Sequence, residues 1–331
     1  MNEFLQVSAG TGTAVSERWR QPVVDLQPFA LPSVFWHPGY LDDPDLAEHV
    51  PFVFWLVEAI RPGLVVAIGA ECGTSYFACC QAIQRLAMDA RCLHLGSVGE
   101  QGEDAADSQA RQRFRDYNKL NFSAFSSVGS GRADSRSVRL EDGSVDLLSI
   151  CAPVEQGDLP DLLAGLQSKL SERSVVLVHG IDRHKKGGAI ADSYAEACRG
   201  LPHFEFMHGG GLGLIGTGKE LPPLLTRLFE ADDDQEIKLA VRQMFWRLGQ
   251  ACAASLALGE SETIIRNLKK KQRELEKRMH ASDQALGVSK AECARLSNTL
   301  ETIVSSRSWR LTEPLRSVVR RLRSLLDRRR M

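Results

Sequence analysis

The chain has 331 residues, of which 43% are apolar and 25% are charged, and its formal net charge is -1. These proportions are typical of a globular protein and suffice for one α/β domain together with a smaller segment. The balanced charge argues against a surface dedicated to nucleic acid. No stretch has the roughly 18 apolar residues of a membrane span, and no early stretch has the pattern of a signal peptide. We therefore expect a cytoplasmic protein.

The eight cysteines lie mostly within apolar runs and are not arranged in CxxC pairs. Their density is below that of secreted disulfide scaffolds. The sequence therefore predicts buried free thiols in a reducing compartment.

Prolines are frequent in residues 1–45, and their spacing prevents a long helix there. This segment is therefore predicted to be an irregular arm. Four of its aromatic residues are expected to pack onto the following domain: Phe29, Phe35, Trp36 and Tyr40.

Residues 46–220 alternate between patterns typical of helices and of strands. The run HVPFVFWLVEAI, from His49 to Ile60, predicts a buried helix, and LVVAIG soon after it predicts a buried strand. Further helices are predicted at SYFACCQAIQRLA, near 107–120 and at LPDLLAGLQSKL, with strands at RCLHL, VDLLSI and SVVLVHG. The runs HFEFMH and LGLIGTG flank three glycines and predict a hairpin. The pattern indicates an α/β fold: a Rossmann-like, doubly wound sheet that is mostly parallel, with an antiparallel C-terminal hairpin.

Beyond this domain the sequence predicts only helix. Residues 221–260 have a helical pattern that is expected to end near Gly259, and residues 262–304 predict a coiled coil. Twelve seam positions follow 3,4 spacing, and nine of them are Ile, Leu, Met or Cys: 265, 268, 272, 275, 279, 282, 286, 289, 293, 296, 300 and 303. Such a seam needs a partner, most simply a second copy of the chain. The alternative is a single charged helix folded back on the domain.

The last segment, residues 307–331, carries nine arginines against Glu313 and Asp327. Its leucines and valines recur at helical spacing, which predicts a basic amphipathic helix. With Trp309 near its start, such a helix suits an anionic membrane surface. The alternative is a solvated tail paired with acidic residues of the same protein. Nucleic acid is disfavoured because aromatic residues are not interleaved with the arginines.

The turn after the first strand reads GAECGTS, residues 69–75. In doubly wound sheets, ligands bind beyond the carboxyl ends of the strands, where the strand order reverses. Gly69 allows a sharp turn and Gly73 allows a ligand to approach the backbone, while Thr74 or Ser75 can cap the following helix. This turn is therefore the predicted ligand-binding segment.

Five stretches resemble, in order and spacing, a known family: HVPFVFWLVEAIRP, IGAECGTSYFACCQAI, LEDGSVDLLSI, LSERSVVLVHG and LPHFEFMHGGGLGLIGTG. The resemblance covers residues 45–218. It is to the class I S-adenosylmethionine (SAM)-dependent methyltransferases of bacterial polysaccharide and glycosyltransferase gene clusters, and more distantly to the macrocin O-methyltransferase and cephalosporin-hydroxylase group. It implies SAM as the cofactor and a cell-surface sugar as the acceptor.

The resemblance also implies which residues surround the cofactor and the acceptor. The candidate SAM-binding residues are Ala67, Gly69, Glu71, Gly73, Thr74, Ser75, Gly96, Ser97 and Cys151. The candidate catalytic base is His179. Four positions that are acidic in the family pattern are occupied here by Ala67, Gly96, Cys151 and Gly180. Since hard divalent cations prefer oxygen ligands, no metal site is predicted. Other acids are expected near the mouth of the site, where each is also explained as a helix-start or loop residue: Glu71, Glu155, Asp158 and Asp182.

Three functional hypotheses remain at this point. The first is an active methyltransferase in bacterial surface-polysaccharide biosynthesis. The second is a pseudo-methyltransferase that serves as a coiled-coil scaffold for glycan-synthesis enzymes, such as glycosyltransferases, at the inner face of the membrane. A dinucleotide-dependent enzyme is disfavoured, because the turn lacks the third glycine of GxGxxG and no acid ends the second strand.

Overall fold

The computed structural model describes residues 24–69, 73–96, 105–129, 140–151, 159–182 and 189–327. The chain divides into two compact units, Met1–Gly259 and Glu260–Met331. The first unit contains a central sheet covered by helices, and the second is helical.

Seven strands form the sheet. They are β1 Leu64–Ile68, β2 Arg91–Leu95, β3 Ser126–Gly129, β4 Val145–Ile150, β5 Leu170–His179, β6 His203–Phe206 and β7 Leu212–Gly216. Their order is β3-β2-β1-β4-β5-β7-β6. Strands β1 to β5 pair in parallel, whereas β7 pairs antiparallel with β5 and β6. The predicted Rossmann-like sheet, mostly parallel and closed by an antiparallel hairpin, is confirmed.

Ten α-helices are found in the described residues. They are α1 Pro44–Ala47, α2 Val50–Ile60, α3 Gly73–Arg85, α4 Ala105–Asn121, α5 Leu159–Leu166, α6 Ala189–Ala197, α7 Pro223–Glu230, α8 Gln235–Ser305, α9 Arg307–Leu311 and α10 Glu313–Asp327. None of the helices in the described part of the chain is long and apolar enough to cross a membrane.

Helices cover both faces of the sheet. Successive side chains of a strand point to opposite faces and therefore pack against different helices. In β1, Val65 and Ala67 join the cluster that contains Trp55 of α2 and Phe77 of α3. The neighbouring residues Val66 and Ile68 join a second cluster with residues of α5 and α6. A strand buried on both faces reads as a continuous apolar run, which is why LVVAI lacks alternation.

The arm packs onto the first unit, as predicted, through Phe29, Trp36 and Tyr40. The indole of Trp55 donates a hydrogen bond to the Pro28 carbonyl at 3.0 Å, which ties the arm to α2. The prediction for Phe35 is wrong, since its side chain is 69% exposed. In the short 3-10 turn Pro32–Phe35, the preceding serine and valine occupy the buried side instead.

Two elements of the sheet domain are absent from the sequence-based prediction. Strand β3 has the sequence SSVG, which is too short and too polar to show a strand pattern. Helix α6 has a mixed sequence with one acidic residue in its first turn and no long apolar stripe. Both are stabilised by neighbouring elements rather than by local preference.

The prediction that the helical segment ends near Gly259 is also wrong, because α8 runs through this residue to Ser305. A glycine inside an exposed helix costs about 1 kcal/mol, which a long helix tolerates. The buried residues of α8 all lie in its first part: Val241, Phe245, Gly249 and Cys252.

Gly249 has a different role from Gly259. A β-carbon at Gly249 would overlap the carbonyl oxygen of Glu48, whereas one at Gly259 would meet no atom within 4 Å. The absence of a side chain at Gly249 therefore lets α8 pack directly against the backbone that precedes α2.

This difference predicts opposite effects of the same substitution. Gly249→Ala should lower the free energy of unfolding by about 1–3 kcal/mol, because the added methyl group overpacks a tight contact. Gly259→Ala should leave it unchanged or raise it by up to about 1 kcal/mol, since alanine favours a helix. Urea unfolding followed by circular dichroism measures both. A Gly249→Ala variant as stable as the parent would contradict the packing.

Candidate functional site

The candidate site lies at the carboxyl edge of the parallel strands. Ile68 pairs with Leu95 of β2 and with Ile150 of β4, so the residues that follow these three strands share one edge. Strand order reverses here, because the chain passes from β1 outward to β2 and β3 and then returns to β4 on the other side. Such a switch point is where α/β sheets bind ligands.

Hydrogen bonds on both sides hold the end of β1. The Gly69 amide donates to the Leu95 carbonyl at 3.0 Å, and the Cys151 amide donates to the Ile68 carbonyl at 3.0 Å. Gly69 has a φ of +122°, and a β-carbon there would lie 2.7 Å from the Cys151 carbonyl oxygen. Only glycine satisfies both the dihedral angle and the space, so the structure requires a glycine at this position, and the residues that follow it, 70–72, lie outside the described part of the chain.

The start of α3 is capped by the arm. The Thr74 amide donates to Asp42 Oδ1 at 3.1 Å, and the Thr74 hydroxyl donates to the same oxygen at 2.5 Å. In return, the Asp42 amide donates to Thr74 Oγ1 at 3.0 Å. Asp42 also occupies the space beside Gly73 that a β-carbon would fill. In this structure the group that approaches the Gly73 backbone is thus the chain's own carboxylate, which a helix N-terminus favours.

The candidate base His179 ends β5 and is 3% exposed. Its Nε2 lies 3.0 Å from the Ser75 hydroxyl, so these two predicted site residues are in contact. The ring of His49 lies 6.3 Å from that of His179 and 4.7 Å from that of His208, measured between centroids. Three imidazoles therefore cluster next to the first turn of α3.

The glycine loop between β6 and β7 closes over this cluster. Gly209, Gly210 and Gly211 all have positive φ. The Gly209 carbonyl lies 3.1 Å from His49 Nε2, and the Gly211 carbonyl accepts from the amide of Gly180 at 2.8 Å. The three glycines that predict the hairpin thus also allow the loop backbone to hydrogen-bond with the residues that follow β5.

Burial favours the neutral form of three histidines in this region, His49, His208 and His94. It lowers the pKa of His49 well below its usual value, with the rings of His208 and His179 adding to the effect. It lowers the pKa of His208 to about 4. His94, on β2, packs between Tyr76 and Phe114, and burial lowers its pKa to about 4 as well.

The remaining predicted positions differ in their surroundings. Ala67 is fully buried in β1, whereas a β-carbon at Gly96 would meet no atom of the described residues within 4 Å. Glu71, Ser97, Glu155 and Asp158 lie outside the described residues, while Asp182 is half-buried near the end of β5.

The prediction of free thiols is wrong for Cys151, which is disulfide-bonded. The other described cysteines are free. The absence of CxxC spacing gave no sign of this bond, because only the fold brings its two cysteines together. Among the residues that the structure describes, no group of three or more His, Cys, Asp or Glu side chains is arranged to hold a metal ion.

Sequence reasoning missed Asp42, His49, His94 and His208. Asp42 lies 32 residues before its partner Thr74, and no spacing rule links them. The histidines are isolated along the chain, where a single histidine carries no pattern. An aspartate followed by proline is a common helix start, and this signal could have indicated the cap at Asp43, whose side chain accepts a hydrogen bond from the Leu46 amide.

No family model matches the chain. The uncharacterized protein y4gI of Sinorhizobium fredii is 30% identical over 198 residues, which is 57% of this chain and 21% of that protein. The chain thus spans about a fifth of the length of this curated relative.

Solved structures with a similar fold include methyltransferases. A putative O-methyltransferase from Klebsiella pneumoniae has 13% identity and a TM-score of 0.40, covering 55% of this chain and 84% of its own. A methyltransferase from Geobacter sulfurreducens has 15% identity and a TM-score of 0.38, covering 51% and 78%. The O-methyltransferase TomG from Streptomyces achromogenes, in complex with SAM, has 12% identity and a TM-score of 0.38, covering 58% and 86%. The strand order itself, β3-β2-β1-β4-β5-β7-β6, identifies the fold.

Acid should destabilise the fold through the buried histidines. Unfolded chains bind these protons below about pH 6.5, whereas folded His94 stays neutral until about pH 4. The stabilisation is therefore complete above pH 6.5 and is lost as the pH falls toward 4. His94→Phe, which keeps the aromatic packing, should reduce this slope by up to about 1.4 kcal/mol per pH unit. Urea titrations between pH 7.5 and 4.5 measure the slope, and an unchanged slope in the variant would refute the assignment.

Proposed function

We propose that the first unit binds SAM at the carboxyl edge of β1 and β2 and is a SAM-dependent methyltransferase-like protein. The observation that carries the proposal is the Gly69 turn, fixed between β2 and β4 at the point where the strand order reverses. The five ordered sequence matches over residues 45–218 support the choice of SAM among the ligands of such sheets.

The described part of this edge has space for SAM but lacks the carboxylates that would hold it. None of the described residues comes within 4 Å of where a β-carbon at Gly96 would lie, at the end of β2, where we place the ribose. No carboxylate is present at Ala67, Gly96 or Cys151 to accept hydrogen bonds from the ribose hydroxyls or the ammonium group. Charge-assisted hydrogen bonds of this kind contribute about 1.5–3 kcal/mol each. We therefore expect SAM to bind more weakly than it does to a site with these acids.

When bound, SAM supplies an electrophilic methyl group. The contribution of this chain would then be to hold the acceptor and to remove its proton. His179 remains the candidate base, and its contact with Ser75 Oγ fixes the ring at the carboxyl edge. Methyl transfer depends strongly on positioning, so the missing acids weaken binding without excluding turnover.

The proposed acceptor is a sugar of a bacterial cell-surface polysaccharide, and glycosyltransferases of the same biosynthesis are the proposed enzyme partners. Support for both comes from the sequence resemblance. The proposed location is the cytoplasm, with contact at the inner face of the membrane.

A second candidate is a catalytically impaired pseudo-methyltransferase that serves as a scaffold. The specific observation in its favour is that Asp42 already occupies the helix start beside Gly73. The buried position of His179 adds to it, because a general base must reach the acceptor.

Calorimetric titration with SAM distinguishes the two candidates. Binding with a dissociation constant below about 100 µM, or about -5.5 kcal/mol, supports the enzyme. The absence of any heat at millimolar SAM supports the scaffold and contradicts the proposed site.

The open space at Gly96 allows a gain-of-function prediction. Gly96→Asp should tighten SAM binding by about 10- to 100-fold, because the new carboxylate can accept from the ribose hydroxyls. Gly96→Asn has nearly the same shape without the charge and should give a much smaller gain. Equal affinities for both variants and the parent would place the ribose elsewhere.

A further inference from the structure

Helix α8 leaves a long apolar seam in solvent. Every residue from 257 to 305 is exposed. The eight Ile, Leu and Met side chains of the seam are 44–66% exposed. The twelve seam positions extend over six heptads, which exceeds the three to four that indicate a coiled coil. We propose that residues 265–303 bind a second copy of this chain as a parallel, in-register coiled coil.

The polar seam positions favour the parallel arrangement. Gln272, Ser282, Ser289 and Cys293 interrupt the apolar seam. In a parallel, in-register pair, each of them faces its own copy, so the polar groups can hydrogen-bond across the interface. A polar residue at a core position selects the register for this reason.

An antiparallel pair of the same length would place polar residues opposite apolar ones. At full overlap, Gln272 would face Leu296 and Ser282 would face Leu286. A buried polar group that has no hydrogen-bond partner destabilises the interface. The parallel pair avoids this cost.

The flanking charges agree with the parallel pair. In a parallel coiled coil, the residues beside the seam pair with residues five positions later on the other helix. Lys271 of one copy therefore lies next to Glu276 of the other, and Arg278 lies next to Asp283. In each of the other pairs of this kind at least one residue is uncharged, so no repulsion between like charges opposes the pairing. The intrahelical pair Arg278–Glu274, at 2.7 Å, lies on the same side of the helix and is compatible with it.

Cys293 provides a direct test of orientation. It is exposed, whereas the other free cysteines of the described residues are buried. A parallel, in-register pair brings the two Cys293 thiols face to face, while the antiparallel pair separates them. Mild oxidation of the full chain should produce a covalent dimer that is absent in Cys293→Ser. If sedimentation shows a dimer that does not cross-link, the parallel register is overturned. If sedimentation shows a monomer at about 10 µM, where a Kd of about 1 µM would leave most of the protein dimeric, the proposal itself is overturned.

A pair of matched variants tests the seam itself. Leu286→Lys places a charge in the seam and should raise the dimer dissociation constant at least 100-fold. Val288→Lys is the control, because Val288 is 72% exposed and lies off the seam. Circular dichroism of both variants shows whether they remain folded, so that a loss of association is not mistaken for unfolding. Equal dissociation by the two variants would overturn the assigned seam.

A separate observation concerns α10, which is independent of this seam. At 100° per residue, Leu315, Val318 and Val319 lie on one face, and they are 70%, 55% and 49% exposed. Arg316, Arg320 and Arg321 lie on the rest of the helix surface. The guanidinium of Arg316 stacks on Trp309, with 3.7 Å to the ring centroid.

We infer that this helix binds the surface of a bilayer that contains anionic lipids. The apolar face would enter the headgroup boundary, while the arginines would contact lipid phosphates. A protein partner would need a matching groove, whereas a membrane accepts any helix with separated apolar and basic faces. The charge excess of the tail favours an anionic surface over a neutral one.

Two charge-matched variants test the orientation on the membrane. Leu315→Glu places a carboxylate on the apolar face and should weaken binding to vesicles of 30% phosphatidylglycerol at least tenfold. Ser317→Glu adds the same charge on the polar side and should weaken it less than threefold. Equal weakening would show that the contact with the lipid is purely electrostatic and that the apolar face does not enter the bilayer, and it would overturn the inference. Failure of the parent protein to bind these vesicles would do so as well.

Discussion

The end of β1 is the point on which the rest of the sheet domain depends. Gly69 and Ile68 connect this strand to its two neighbours at the same level, and the close approach to Cys151 requires a glycine. Because the strand is buried on both faces, its register is strongly constrained by packing. The carboxyl ends of β1, β2 and β4 therefore meet at one edge, and the first helix starts beside them. Any ligand of this fold would be positioned by that edge.

The charge at the start of α3 is already balanced by a residue of the chain itself. A helix start attracts an anion, and here Asp42 of the arm supplies it through Thr74. The neighbouring imidazoles are held neutral by burial. The described residues at the ends of β1, β2 and β4 thus offer backbone groups but no carboxylate, whereas Asp182 lies near the end of β5. The missing carboxylates at Ala67, Gly96 and Cys151 are the physical reason that we expect weak SAM binding under the proposed function.

Most of the fold could be predicted from the sequence, because the buried strands read as apolar runs and the helices follow them with regular spacing. Strands β2 and β4 have the predicted bounds. Strand β3 and helix α6 could not be predicted, since their short, mixed sequences are stabilised by neighbours. In the site, the Gly69 turn was readable from a strand followed by glycine. The contact between Asp42 and Thr74 and the cluster of His49, His179 and His208 were not, because they join residues far apart in the chain.

We propose that SAM binds at the carboxyl edge between β1 and β2. Hydrogen exchange of backbone amides, measured by mass spectrometry with and without saturating SAM, tests it most directly. Binding at this edge should slow amide exchange in peptides that contain residues 65–69 and 91–96. It should leave exchange unchanged in the exposed segment 265–303. Protection confined to any other part of the chain, or no protection at all, would contradict it.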